Sequence, residues 1–180
     1  MAVIYTIGYT GSSHDDLRDF IKATSAILVD IRFSPVSRAA MWGGNAVARA
    51  VGYPNYVHLR ALGNENYKNG GPVKLSNPKV GADAIGNIIV KQNRDVILMC
   101  VCHDVMSCHR TFAAHYLQRV LASLKPRIVN LPPRYSQWRD QWRDAPARSK
   151  PPVFGEADPR DYEAKPLRNN CLTKVHDNGK

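Results

Sequence analysis

The residues best suited to chemistry crowd one short stretch, Cys100-Val101-Cys102-His103-Asp104-Val105-Met106-Ser107-Cys108-His109-Arg110. The apolar run Asp95 to Val101 before it predicts a buried strand, and the spacing after it predicts a helix over 109–124. A helix start offers free N–H groups and the positive end of the helix dipole, which together draw anions. Arg110 adds a guanidinium fork that can grip a phosphate or carboxylate in two places. A cysteine at that position has its thiolate stabilised, so Cys108 is a candidate nucleophile. His109, an imidazole, is a candidate acid or base. Each residue also has a structural reading. Cys100 suits an inert core thiol, and Arg110 suits a partner for a carboxylate such as Asp30. Cys102 and Cys108 are expected to be more open, as reactive or ligating sulfurs.

Two familiar chemistries do not fit. A phosphatase loop needs arginine six residues after its cysteine, and the residue six after Cys102 is Cys108. Cys102, His103, Cys108 and His109 offer four zinc-type donors, but one short loop hardly wraps a tetrahedron and the spacing matches no standard pair of knuckles. No metal and no cofactor is assigned.

Two further candidates close apolar strands. Asp30 ends Ala26-Ile27-Leu28-Val29, and Arg32 follows on the same face. His58 ends Tyr56-Val57. Asp30 and His58 are candidate catalytic groups, and Arg32 is a candidate ligand clamp. The alternatives are a salt bridge at the sheet edge and a structurally satisfied histidine.

These positions need a scaffold that presents strand ends together. Strands are predicted near 3–7, 26–31, 56–59, 95–101 and 127–130. Helices are predicted at 14–24, capped by Ser13, then near 45–51, 80–92 and 109–124. In the last helix Phe112, Tyr116, Val120, Leu121 and Leu124 are expected to face the core. This alternation predicts an α/β fold: a single Rossmann-like domain over 1–130, with a mainly parallel sheet of about five strands flanked by helices. In such sheets ligands bind outside the carboxyl ends of the strands. That rule selects the loops after Ile7, Ile31, Leu59 and Val101. Residues 131–180 hold seven of the 12 prolines and read as an extended Pro/Arg-rich tail, with a candidate helix at 135–144 carrying Trp138 and Trp142.

Composition narrows the partners. The net charge is +10, and positions 1–130 carry fifteen basic against eight acidic residues. A basic body favours an anionic ligand such as a nucleotide or nucleic acid. No apolar run reaches transmembrane length and no signal-peptide pattern opens the chain, so a cytoplasmic protein is expected. Three of the four cysteines lie within nine residues, unlike a secreted disulfide framework.

Taken in order, Tyr5-Thr6-Ile7-Gly8-Tyr9-Thr10, Val29-Asp30-Ile31-Arg32 with Pro35 and Arg38, Tyr56-Val57-His58-Leu59 with Leu62-Gly63, and Leu98-Met99-Cys100 leading to Cys108-His109-Arg110 resemble the DUF488 family over about 3–130. The resemblance implies a Rossmann-type α/β domain. It implies site roles for Asp30, Arg32, His58, Cys100, Cys108, His109 and Arg110, and it adds Gly8, Tyr9, Thr10 and Arg38 as ligand-binding candidates. Two departures stand out: Tyr9 where many relatives have histidine, and Cys102 where many have glutamate. The expectation is an enzyme acting on a nucleotide or nucleic acid by hydrolytic or glycosidic-bond chemistry. The alternatives are a non-catalytic nucleotide- or nucleic-acid-binding module and a cysteine-based redox or metal sensor.

Overall fold

The computed structural model describes residues 2–143. Five strands are present: β1 (Val3–Gly8), β2 (Ile27–Asp30), β3 (Tyr56–His58), β4 (Val96–Cys100) and β5 (Arg127–Asn130). They form one sheet in the order β3-β2-β4-β1-β5, with every pairing parallel. The α/β expectation holds. β4 lies between β2 and β1 and is buried along its whole length, which is why its sequence is apolar without alternation.

Five helices connect and cover the strands: α1 (His14–Thr24), α2 (Gly44–Val51), α3 (Pro78–Lys91), α4 (His109–Val120) and α5 (Tyr135–Arg143). Leu17, Phe20 and Ile21 of α1, Val47 of α2 and Trp138 of α5 pack with Tyr5, Ile7, Leu28, Ile97 and Met99 on one sheet face. Ile85 of α3 and Ala113, Ala114 and Leu117 of α4 pack with Ile4, Val29, Leu98 and Cys100 on the other.

Ser13 caps α1 in a reciprocal capping box with Asp16. The Asp16 carboxylate also accepts from the backbone N–H of Tyr135 at 2.9 Å and pairs with Arg134, which ties the start of α5 to α1. Trp138 is buried against Phe20, so this tryptophan docks on the body. The side chain of Trp142 and all of 144–180 lie outside the described residues.

One sequence expectation fails in detail. The buried face of α4 is Arg110, Thr111, Ala113, Ala114 and Leu117, whereas Phe112 and Val120 are exposed. Arg110 is the cause. Its side chain is buried at the first turn, and the face at i, i+3, i+4 and i+7 is counted from it. Reading Arg110 as a surface residue puts the helix out of phase.

Candidate functional site at the carboxyl edge of the sheet

Asp30, His58 and the start of α4 all lie at the carboxyl edge of the sheet, where β2 pairs with β3 through Asp30 and His58 and with β4 through Asp30 and Met99. The sheet nevertheless divides the candidates. Asp30 shares a face with Leu28, whereas Cys100 shares the opposite face with Leu98. The candidates at the carboxyl edge therefore form two buried clusters that meet at the strand ends.

The first cluster surrounds Asp30. Its carboxylate is fully buried and receives the Arg32 guanidinium, with Nε at 2.8 and 3.0 Å from the two oxygens and Nη2 also donating. Arg32 Nη1 donates to the carbonyl oxygen of Trp42 at 2.7 Å. The Tyr56 hydroxyl donates to Asp30 at 2.8 Å. Burial and the neighbouring carboxylate push the Tyr56 phenol well above its ordinary value, so this donor keeps its proton. Tyr9 lies buried, stacked on Trp42 at 4.4 Å, with Arg32 over its other side. This is the salt bridge weighed from the sequence, not a clamp open to a ligand. Trp42 and Tyr56 complete it. Tyr56 was legible as the residue two before His58 on the same strand, but nothing in the sequence marks Trp42.

The second cluster is built on sulfur. Cys100 and Cys108 are free and fully buried, with their Sγ atoms 2.7 Å apart. Cys108 is the N-cap of α4, and its sulfur accepts the N–H of Arg110 at 3.4 Å. The anion-attracting helix start is thus already occupied by a side chain of the protein. Cys102 is buried too, at 8 % exposure, so the expectation of open sulfurs at Cys102 and Cys108 is corrected. The loop 101–108 folds back over the strand end and covers them.

Arg110, 1 % exposed, reaches back beneath that loop. Nη1 donates to the carbonyl oxygen of Cys102 and to Cys100 Sγ at 3.3 Å, and Nη2 donates to the carbonyl oxygen of His103 at 3.2 Å. Among the described residues Nε has no hydrogen-bond partner and no carboxylate forms an ion pair with Arg110, so the predicted pairing with Asp30 is absent. A buried guanidinium needs negative charge close by, and both the Asp104 carboxylate and the Cys108 sulfur lie close enough to interact with Arg110. Burial would raise the Cys108 pKa, but the hydrogen bond from Cys100, the charge of Arg110 and the Arg110 N–H outweigh burial and hold it below its ordinary value. Cys100 moves the opposite way, pushed up by burial, then by its hydrogen bond to Cys108 and by the charge there. The two opposite shifts make Cys108 the sulfur of the pair that gives up its proton first.

The remaining candidates frame this pair. His109 Nε2 is 3.0 Å from the carbonyl oxygen of Ile31, and His58 Nε2 is 2.9 Å from that of Arg32. A carbonyl only accepts, so each Nε2 carries hydrogen. This leaves His109 Nδ1 facing Cys108 Sγ at 3.9 Å. Gly8 is required by close approach: a Cβ there would overlap the Cys102 carbonyl and come within 2.6 Å of Arg110 Nη1. The Thr10 hydroxyl donates to the carbonyl of Val101, and Arg38 is exposed on the loop after β2. Two surface depressions of about 480 and 640 Å³ lie at the opposite, amino-terminal edge beside Ser25 and Arg94, and contain none of the candidates.

Sulfur also raises the question of metal. The Sγ atoms of Cys100, Cys102 and Cys108 lie within 4.8 Å of one another, but Cys102 is disulfide-bonded, which leaves Cys100 and Cys108 as the free soft donors. Two thiolates on one tetrahedral zinc stand ~3.8 Å apart, from a Zn–S bond of about 2.3 Å. The 2.7 Å between Cys100 and Cys108 is shorter than that spacing and longer than the 2.03–2.05 Å of a disulfide.

Comparison with family models, curated proteins and solved structures finds no match for this chain. The DUF488 resemblance therefore rests on the motif residues alone.

Proposed function

We propose that this protein is a thiol-based redox protein, in which Cys108 is the reactive thiolate and Cys100 the resolving thiol. The observation that carries the reading is the direct contact of the two free sulfurs beside the buried Arg110 guanidinium, which donates to Cys100 Sγ. Both sulfurs are fully covered, so their oxidation requires local opening around them, which favours a small hydroperoxide over bulky substrates. The thiolate of Cys108 attacks one peroxide oxygen, the O–O bond breaks, and hydroxide or alkoxide leaves with the electron pair and takes up a proton. Cys100 then attacks the Cys108 sulfenic acid. A sulfur–sulfur bond forms, and the hydroxyl leaves as water with the Cys100 proton. An external dithiol then reduces the bridge by thiol–disulfide exchange and is itself oxidised to a disulfide, which restores both cysteines. His109 Nδ1 can hold or release a proton beside Cys108.

The nucleotide-acting enzyme expected from the sequence gains no support from its two proposed anion clamps, since Arg32 and Arg110 both spend their donors on the protein itself. Peptide mapping of the full chain after stoichiometric hydrogen peroxide tests the redox reading. A Cys100–Cys108 bridge reversed by dithiothreitol is the expected result. Oxidation of Cys108 directly to sulfinic acid, or two unreacted thiols in folded protein, would overturn it.

A further inference from the structure

The basic excess of the described body is concentrated in one segment. Between Asp30 and Asp83 the only acidic residue is Glu65, against seven basic ones: Arg32, Arg38, Arg49, Arg60, Lys68, Lys74 and Lys79. Arg32 is buried on Asp30, and Lys74 pairs with Glu65 at 2.8 Å. Arg38, Arg60, Lys68 and Lys79 are exposed and form no ion pair among the described residues. The segment 31–82 thus holds a net +6 of the +9 carried by residues 2–143.

The same loops display aromatic rings. Phe33 and Tyr67 are half-buried, with centroids 5.7 Å apart and planes tilted by 34°. The Arg60 guanidinium stacks on Phe33 at 4.0 Å, and Lys68 lies 5.6 Å from the Tyr67 centroid. This arrangement is firmly built. Gly63 packs against the backbone of Phe33, where a Cβ would fall 2.6 Å from Phe33 Cα. The buried Asn64 side chain accepts from the N–H groups of Asn66 and Lys74 at 3.1 and 3.0 Å. Ser76 and Asn77 donate back to Gly63 and Ala61.

We infer that the Phe33–Tyr67 surface binds a single strand of nucleic acid. Rings flanked by unpaired cations accept stacked bases and meet the phosphates that follow them, whereas a solvated charged face needs no such rings. This inference is independent of the thiol site.

Fluorescence anisotropy of the reduced full chain with a labelled, unstructured oligonucleotide and with a duplex of equal length tests it. The single strand should bind tighter than the duplex. Tyr67→Ala should weaken binding about 5- to 150-fold, the range for loss of one stacked base, and Tyr67→Trp should retain it. Arg60→Ala with Lys68→Ala should flatten the dependence of log affinity on log salt by roughly 1.4. Lys125→Ala, after α4 and outside these loops, is the charge control and should leave the single-strand preference and the Tyr67 effect intact. Absence of binding by the intact chain at low salt, equal or tighter binding of duplex, or wild-type affinity in folded Tyr67→Ala protein would each overturn the inference.

Discussion

His109 Nε2 stands 3.0 Å from the carbonyl oxygen of Ile31, the residue between Asp30 and Arg32. One imidazole therefore spans from the sulfur cluster on one face of the sheet to the backbone of the ion-pair cluster on the other. The hydrogen bond fixes which ring nitrogen faces Cys108, and so couples the geometry of the thiolate to the position of the β2 loop.

The Asp30–Arg32 pair is fully enclosed, so breaking it strands a buried charge. Asp30→Asn is expected to cost about 3–5 kcal/mol of stability, as for a buried pair losing one partner. Chemical denaturation measures this directly. A near-neutral effect would mean that the carboxylate is held for function and not for the fold.

Arg110 should govern both fold and reactivity. Arg110→Lys keeps the charge but loses the fork to the carbonyls of Cys102 and His103. A loss of roughly 1–3 kcal/mol is expected, together with Cys108 alkylation that needs higher pH. Melting temperature and iodoacetamide rates across pH on one preparation check both. Unchanged thiol reactivity in folded protein would remove Arg110 from the thiolate's stabilisation.

On the redox reading, Cys100 donates a hydrogen bond to Cys108. Cys100→Ala should therefore shift the alkylation profile of Cys108 to higher pH and lower the ultraviolet absorbance of thiolate at neutral pH. Cys108→Ala should abolish that absorbance. Equal profiles in wild type and Cys100→Ala would show that the sulfurs do not share a proton.

Asp16 holds α1 and α5 together. Its carboxyl lies below its ordinary value: burial opposes this, but hydrogen bonds from Ser13 and Tyr135 and the charge of Arg134 prevail. A depressed carboxyl stabilises the fold fully above the unfolded value of about 3.9 and progressively less as pH falls through the folded value. Asp16→Ala should cost about 1–2 kcal/mol at neutral pH, and the gap to wild type should narrow as the medium is acidified. Denaturation midpoints at pH values above and below the carboxylate range test the sign.

Gly8→Ala places a methyl group against the Cys102 carbonyl and the Arg110 guanidinium. Displacing that loop is expected to cost roughly 1–3 kcal/mol, as for overpacking, and to expose Cys108 to alkylation. Hydrogen exchange across 101–108 reads the local effect separately from global unfolding.

The sequence by itself determined the parallel α/β architecture. Its uninterrupted apolar strands, the Ser13 cap and the helix periods are local consequences of backbone and burial chemistry, legible without knowing any neighbour. It also placed Asp30, His58, Cys108, His109 and Arg110 at the carboxyl edge, because strand ends are marked by where the apolar runs stop. What it left open was the side of the sheet and the partner of each charge. Arg32 and Arg110 look alike as arginines at strand or helix ends. One closes on Asp30 and Trp42, while the other turns back under the loop onto Cys100, Cys102 and His103. Only tertiary structure decides this, since burial of a guanidinium depends on which acceptors the neighbouring strands and loops bring within a few ångströms. The same holds for the sulfurs. The eight-residue separation of Cys100 and Cys108 carries no distance, and their contact at 2.7 Å arises because α4 begins directly over the end of β4.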